Sequence, residues 1–250
     1  MNPTTQIPFA ALMPITSRPH VIFLPGAGGD GAFWHGVGQR LPGEWEKTYI
    51  SWPGLGKQPH DPGVNGFADL TRIAETALNR PSIVVAQSMG GIVAIELALG
   101  HPDLVTHLVL VATSGGLDVS RFGAADWRAD FLADFPGTAR WILTESPNLL
   151  GSLADLDVPT LLLWGEDDRI SPPAVGNFLH QRISGSTLKV LPDAAHDLVV
   201  RHPEVVRMAI EGKPPTRPPV PLIKSVQSCF FFGGTGNGET APGAILGRTS

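Results

Sequence analysis

The sequence predicts an α/β fold: a mostly parallel, doubly wound sheet of about six to eight strands, flanked by helices and interrupted by one insert. Three observations carry that prediction. Short apolar runs rich in β-branched residues alternate with segments of helical spacing, the pattern of βα units and of a parallel sheet covered on both faces. The runs His20-Val21-Ile22-Phe23-Leu24 and Ser82-Ile83-Val84-Val85-Ala86 read as buried strands. Leu117 to Leu156 breaks the alternation: it carries Phe122, Trp127, Phe131, Phe135 and Trp141 among scattered acids and arginines, and reads as an insert.

Each element has a local reason. Met1 to Arg18, punctuated by Pro3, Pro8 and Pro14, is an irregular lead-in. The strand His20 to Leu24 runs into a glycine-rich loop, Pro25-Gly26-Ala27-Gly28-Gly29-Asp30-Gly31. Phe33 to Leu41 is a helix stopped by Pro42-Gly43, and Lys47 to Trp52 is a strand ending in Pro53-Gly54-Leu55-Gly56. Phe67 to Leu78 has helical spacing through Leu70, Ile73, Ala74, Ala77 and Leu78. After the strand at Ser82 comes a tight turn. Ile92 to Leu99 then follows, apolar on nearly every side like a buried helix, and Gly100-His101-Pro102 ends it. His107 to Ala112, Pro159 to Trp164 and Thr187 to Leu191 are strands, and Pro172 to Ile183 and Pro203 to Glu211 are helices. One domain therefore spans 19–212, with the insert at 117–156. Beyond Gly212, Pro214, Pro215, Pro218, Pro219 and Pro221 lead into a Gly/Thr/Asn segment, so 213–250 is expected to form no packed core.

Composition narrows the function. The 250 residues are 42% hydrophobic and 16% charged, enough apolar mass for a globular core. A net charge of −5 without any Lys/Arg cluster argues against nucleic acid as a partner. Runs such as Leu108 to Ala112 are far too short to span a bilayer, so no membrane partner is expected. Cys229 is the single cysteine, and the N-terminal residues lack a basic segment followed by an apolar one. No disulfide and no signal peptide are expected, which fits a cytoplasmic location. There is no H-E-x-x-H and no cluster of Cys and His, so no metal site is readable. The glycine-rich loop lacks both the G-K-[ST] ending of a phosphate loop and the spacing of a dinucleotide fingerprint.

The tight turn carries the chemistry. Ser88 stands at its centre, and a serine on a sharp strand-to-helix turn points its hydroxyl away from the backbone. Such a turn is strained and demands small residues two before and two after the serine, here Ala86 and Gly90. The helix start behind it offers unspent backbone N–H groups and a positive dipole end, which suit a developing oxyanion. Ala86-Gln87-Ser88-Met89-Gly90 resembles the nucleophile elbow G-x-S-x-G of the α/β-hydrolases, with alanine at the first position. The resemblance covers about Pro19 to Glu211 and implies the α/β-hydrolase fold, with the insert 117–156 as a short helical lid and partners in the order serine, acid, histidine, each just beyond a strand end. Gly165-Glu166-Asp167-Asp168, followed by Pro172, is similar to the family's acid turn and assigns the acid to Asp168, with Asp167 as its competitor. Pro192-Asp193-Ala194-Ala195-His196 matches the place of the histidine and assigns His196. The other histidines sit at strand openings, in a helix stop or in surface loops. The resemblance also assigns oxyanion donors to the N–H groups of Met89 and Ala27. At Ala27 the family usually writes H-G-x, and this chain has Pro25-Gly26-Ala27, without the histidine.

These assignments imply a serine hydrolase of carboxylesterase type. It would cleave a small-molecule ester or lactone through an acyl-enzyme on Ser88 and need no cofactor. The candidate substrate contacts are Trp34, Phe122, Trp127 and Phe131. Two other readings stand beside it: the same fold doing C–C bond hydrolysis or acyl transfer, and a non-catalytic small-molecule receptor on a hydrolase scaffold. Turnover of a p-nitrophenyl ester separates the receptor from the enzymes.

Overall fold

A computed structural model describes residues 18–145 and 147–212. The lead-in before Arg18 and the proline-rich tail lie outside the described residues. In chain order the elements are β1 (His20–Leu24), a 3-10 turn (Gly31–Trp34), α1 (His35–Gly38), β2 (Glu46–Tyr49), α2 (Phe67–Ala77), β3 (Ser82–Gln87), α3 (Gly90–Gly100) and β4 (Val105–Val111). The insert follows, with α4 (Arg128–Asp134) and short 3-10 turns on either side of it. The chain then returns to β5 (Thr160–Gly165), α5 (Pro173–His180), β6 (Thr187–Leu191), α6 (Leu198–Arg201) and α7 (Pro203–Ile210).

The six strands form one sheet in the order β2-β1-β3-β4-β5-β6. Every neighbouring pair is parallel. Alternate residues of each strand feed two cores. Ile22, Leu24, Val84, Ala86, Leu108, Leu110 and Leu162 face α2, α3, α5 and the insert. Val21, Phe23, Ile83, Val85, Val109, Val111 and Leu163 face α1, α6 and α7. Both faces are therefore covered, which is why these runs are apolar at successive positions. α2 buries only Phe67, Leu70 and Ala74, one stripe, whereas α3 buries eight of its eleven residues. Among the described residues, no helix is long and apolar enough to cross a membrane.

Several elements differ from expectation: β4 opens two residues early at Val105, α5 ends at His180, short of Ile183, α6 is additional, and the first helix and β2 differ for reasons that bear on the site. In place of a helix over Phe33 to Leu41, Asp30 accepts from the Ala32 N–H at 2.8 Å and opens a 3-10 turn at Gly31. Helix α1 then ends at Gly38, where a side chain would run into the Tyr49 ring. The strand expected over Lys47 to Trp52 begins one residue earlier and ends at Tyr49. Ser51 and Trp52 leave the ladder because they bond the glycine-rich loop instead: Gly31 N–H donates to Ser51 Oγ and Trp52 N–H to Gly29 O.

The order of the strands places the site. The chain leaves β1 to form β2 on one side and returns to form β3 on the other, so the connections diverge beyond the C-terminal ends of β1 and β3. That divergence is the point at which open α/β sheets bind ligands. The register Leu24↔Ala86 sets the glycine-rich loop alongside the Ser88 turn.

At the opposite end of the sheet, His20 is buried between β2 and β3. Ser82 Oγ spends its proton on Arg80 O, so it accepts from His20 Nδ1–H at 2.8 Å, and Thr48 Oγ1–H donates to His20 Nε2 at 2.8 Å. This network satisfies a neutral imidazole. Burial, and after it the Arg80 cation, push the His20 pKa below its ordinary 6.5, against a smaller opposite pull from Glu46. The unfolded chain thus binds a proton near 6.5 that the folded chain refuses. Stability is retained above that pH and lost as pH falls through it toward the folded value. The melting temperature of the wild type is expected to fall more between pH 7.5 and pH 5 than that of His20→Gln. Parallel thermal scans check this, and equal slopes would refute it.

Candidate active site

β3 ends at Gln87 and α3 starts at Gly90, so Ser88 and Met89 alone make the turn. Ser88 has φ 52, the left-handed region that non-glycine residues rarely occupy, at a cost of roughly 1–3 kcal/mol. The surroundings hold it there. Ser88 N–H donates to Val111 O at 2.9 Å, and Ser88 O accepts from Gly91 N–H at 3.0 Å. A Cβ on Gly90 would lie 2.4 Å from Pro25 O, and one on Gly91 would lie 2.3 Å from Thr113 Oγ1. Ala86 is fully buried and pairs in register with Leu24 and Leu110, so its methyl is accommodated.

Ser88 Oγ lies 3.1 Å from His196 Nε2, and His196 Nδ1 lies 2.8 Å from Asp168 Oδ2. An ionised carboxylate only accepts, so Nδ1 carries the proton and the Nε2 lone pair faces Ser88. Asp168 is itself fixed: its Oδ1 accepts the N–H groups of Ile170 and Ser171, each at 2.9 Å. The Asp168 side chain is fully buried and that of His196 is 20% exposed. Asp167, the competing acid, points to solvent, and its backbone N–H donates to Ala194 O at 2.8 Å. A Cβ on Gly165 would lie 2.3 Å from Ala194 O, so the acid turn and the histidine loop meet backbone to backbone.

Ala27 and Met89 also border this point. Gly29 N–H donates to Gly26 O at 3.0 Å, which leaves Ala27 N–H facing the other way across the same peptide plane. Met89 N–H precedes the first turn of α3, where amides have no intrahelical acceptor. Neither N–H donates in any loop, turn or cap of the described residues. Two contributors escaped the sequence reading. The Gln87 amide donates to His196 Nε2 at 3.1 Å, sharing the lone pair that faces Ser88. Trp52 donates its indole N–H to Pro25 O at 2.8 Å. The available signals were a polar residue closing an apolar strand and a large aromatic directly before Pro53-Gly54.

A cavity of about 540 Å³ opens from these groups. Ala27, Gln87, Ser88, Met89 and His196 form one end of it; Phe67, Ile92, Trp127, Phe131 and Ile142 form an apolar wall. Asp118, Asp126, Arg128 and Glu145 supply its charged lining. Of the four expected substrate contacts, Trp127 and Phe131 line it. Trp34 does not: the 3-10 turn carries it into the core on the far face of the sheet, where its indole donates to Leu24 O at 3.1 Å. Phe122 does not either: its ring stands edge-on to Phe178 beneath the Arg121 guanidinium.

A strained serine at a βα turn, followed in chain order by an acid and a histidine at later strand ends, is the arrangement of one fold family. Residues 21–209 match the alpha/beta hydrolase family, and the chain belongs to it. Among curated proteins, the pimeloyl-[acyl-carrier protein] methyl ester esterase of Neisseria meningitidis serogroup A is 28% identical over 241 residues, covering 76% of this chain and 77% of that protein. Among solved structures, a thermophilic esterase from Thermogutta terrifontis superposes with a TM-score of 0.62 at 21% identity, over 78% of this chain and 88% of its own. Est816, described as an N-acyl homoserine lactone degrading enzyme, superposes with a TM-score of 0.65 at 18% identity, over 78% and 93%.

The close approach at Gly90 gives a direct test. Gly90→Ala should destabilise the fold by about 1–3 kcal/mol, because the methyl meets backbone that cannot yield cheaply. Urea denaturation measures it, and a change under about 0.5 kcal/mol would show that the turn is looser than described.

Proposed function

We propose that the protein is a serine hydrolase that cleaves small carboxylic esters, lactones included as cyclic esters, through an acyl-enzyme on Ser88. The observation that carries this reading is the unbroken line Asp168–His196–Ser88, which reaches a cavity beside two unspent backbone N–H groups. The neutral His196 Nε2 takes the Ser88 proton as Oγ bonds the carbonyl carbon, and Asp168 steadies the imidazolium. The carbonyl oxygen gains charge between Ala27 N–H and Met89 N–H. His196 then returns the proton to the departing alcohol oxygen as the C–O bond breaks. Water repeats the sequence on the acyl-enzyme: its proton goes to His196, its oxygen to the carbonyl carbon, and Ser88 leaves protonated with the acid as product. The apolar wall of Phe67, Trp127, Phe131 and Ile142 suits a neutral acyl or alcohol group. The curated relative from Neisseria also breaks a methyl ester, by its name.

The deciding experiment is a series of p-nitrophenyl esters of increasing acyl length. Ser88→Ala and His196→Ala should each lose on the order of 10⁴-fold or more in kcat, and Asp168→Ala somewhat less. The double variant Ser88→Ala/His196→Ala should be no worse than either single one, because the three groups act as a unit. Near wild-type turnover by Ser88→Ala would sink the mechanism, and absence of turnover by the wild type on every ester would favour a receptor.

The wall gives a further expectation. Trp127→Ala enlarges the cavity on its apolar side, so kcat/KM should shift toward longer acyl chains. An unchanged chain-length profile would show that the acyl group lies elsewhere.

A further inference from the structure

We propose that Trp52 is the positioning residue of the oxyanion site: its indole N–H and its backbone N–H grip the Pro25–Gly29 loop on both sides of Ala27 and aim the Ala27 N–H. The inference rests on the ester-hydrolase reading above.

Within Pro25–Gly29 the loop's own restraint is a single turn bond, Gly29 N–H to Gly26 O. Gly26, Gly28 and Gly29 are permissive backbone, and Pro25 has no N–H with which to continue the β1 ladder. Yet the donor it carries must point at one place to within a fraction of an ångström. Trp52 supplies the missing restraint. Its Nε1–H donates to Pro25 O at 2.8 Å in a buried bond, and its backbone N–H donates to Gly29 O at 2.8 Å. The turn bond Gly29 N–H to Gly26 O, which faces Ala27 N–H away from it, lies between those two grips.

Trp52 is a firm anchor. It is fully buried, and the chain after it lies flat against the same loop. A Cβ on Gly56 would lie 2.0 Å from Gly28 O, and one on Gly29, at φ 74, would lie 2.6 Å from Leu55 O. On its other side, Gly54 O accepts from Ala139 N–H at 2.8 Å, and Gly56 N–H donates to Thr138 Oγ1 at 3.1 Å. This is also why β2 stops at Tyr49. Pro25 brings no side-chain donor of its own, and an indole from just beyond β2 holds the loop.

The test is Trp52→Phe, which keeps an aromatic ring in the core and removes one donor. On a p-nitrophenyl ester that the wild type cleaves, kcat/KM should fall about 10- to 100-fold, entirely through kcat, with KM little changed. Affinity for an alkyl boronic acid, which forms a tetrahedral adduct on a nucleophilic serine, should fall in step with kcat/KM. Inhibition by the carboxylic acid product should stay as it is. A lower melting temperature with kcat/KM unchanged would overturn the proposal, and so would a loss carried by KM with boronate affinity intact. If Trp52→Phe does not fold, the wild type still decides. Its Trp52 indole N–H resonance should resist solvent exchange and shift when the boronic acid binds; rapid exchange or no shift would overturn the proposal. Ser88→Ala in the same assay separates the two questions: its activity refutes the hydrolase reading, whereas an inert Ser88→Ala beside an active wild type leaves the Trp52→Phe result to report on Trp52 alone.

Discussion

The left-handed backbone at Ser88 constrains more of this structure than any other single feature. A residue with φ 52 and a Cβ stays there only when its neighbours leave no alternative. Val111 at the end of β4 holds its N–H, and Gly91 in α3 holds its carbonyl. The carbonyl of Pro25 after β1 fills the space beside Gly90. One strained residue is thus pinned by the ends of two flanking strands and the start of a helix. In return its hydroxyl stands clear of the backbone, at one end of a cavity and 3.1 Å from an imidazole. Strain of a few kcal/mol is tolerable because β3 lies in the middle of the sheet, with both faces buried.

The same logic of backbone against backbone runs across the rest of the C-terminal edge. The acid turn after β5 and the histidine loop after β6 touch through Gly165 and Ala194, and the N–H groups of Glu166 and Asp167 reach across to Leu191 O and Ala194 O. Asp168 therefore meets His196 at a distance fixed by main-chain contacts, not by the reach of two flexible side chains. Its second oxygen is spent on two amides, so the carboxylate has one orientation left. Under the proposed mechanism, an imidazole held in this way needs little reorganisation when it takes a proton.

The insert contributes differently. It is tied down at several points: Glu145 accepts from Phe67 N–H at the start of α2, Ala139 N–H reaches Gly54 O, and Ala125 N–H reaches Arg169 O. Its aromatics divide between two tasks. Phe135 and Trp141 fill the space beneath it, against Phe131 and Phe67, while Trp127 and Phe131 also face the cavity. The walls that would select a substrate are therefore built from the same side chains that stabilise the insert.

Sequence alone determined where the six strands fall, though not their ends at β2 and β4, and it determined the parallel arrangement, the tight turn at Ser88 and the places of Asp168, His196, Ala27 and Met89 beyond strand ends. Each of these depends on a signal a few residues long: a β-branched run, a glycine that permits close approach, a turn at a strand end. Tertiary structure decided what such signals do not carry. The direction of a side chain within a 3-10 turn sent Trp34 to the far core, and a contact with Phe178 took Phe122 away from the cavity. The roles of Gln87 and Trp52 arise from hydrogen bonds across 109 and 27 residues of chain. Those bonds exist because β2 lies beside β1 and the histidine loop after β6 reaches the end of β3, and strand order is set by long-range burial that no local pattern of residues encodes.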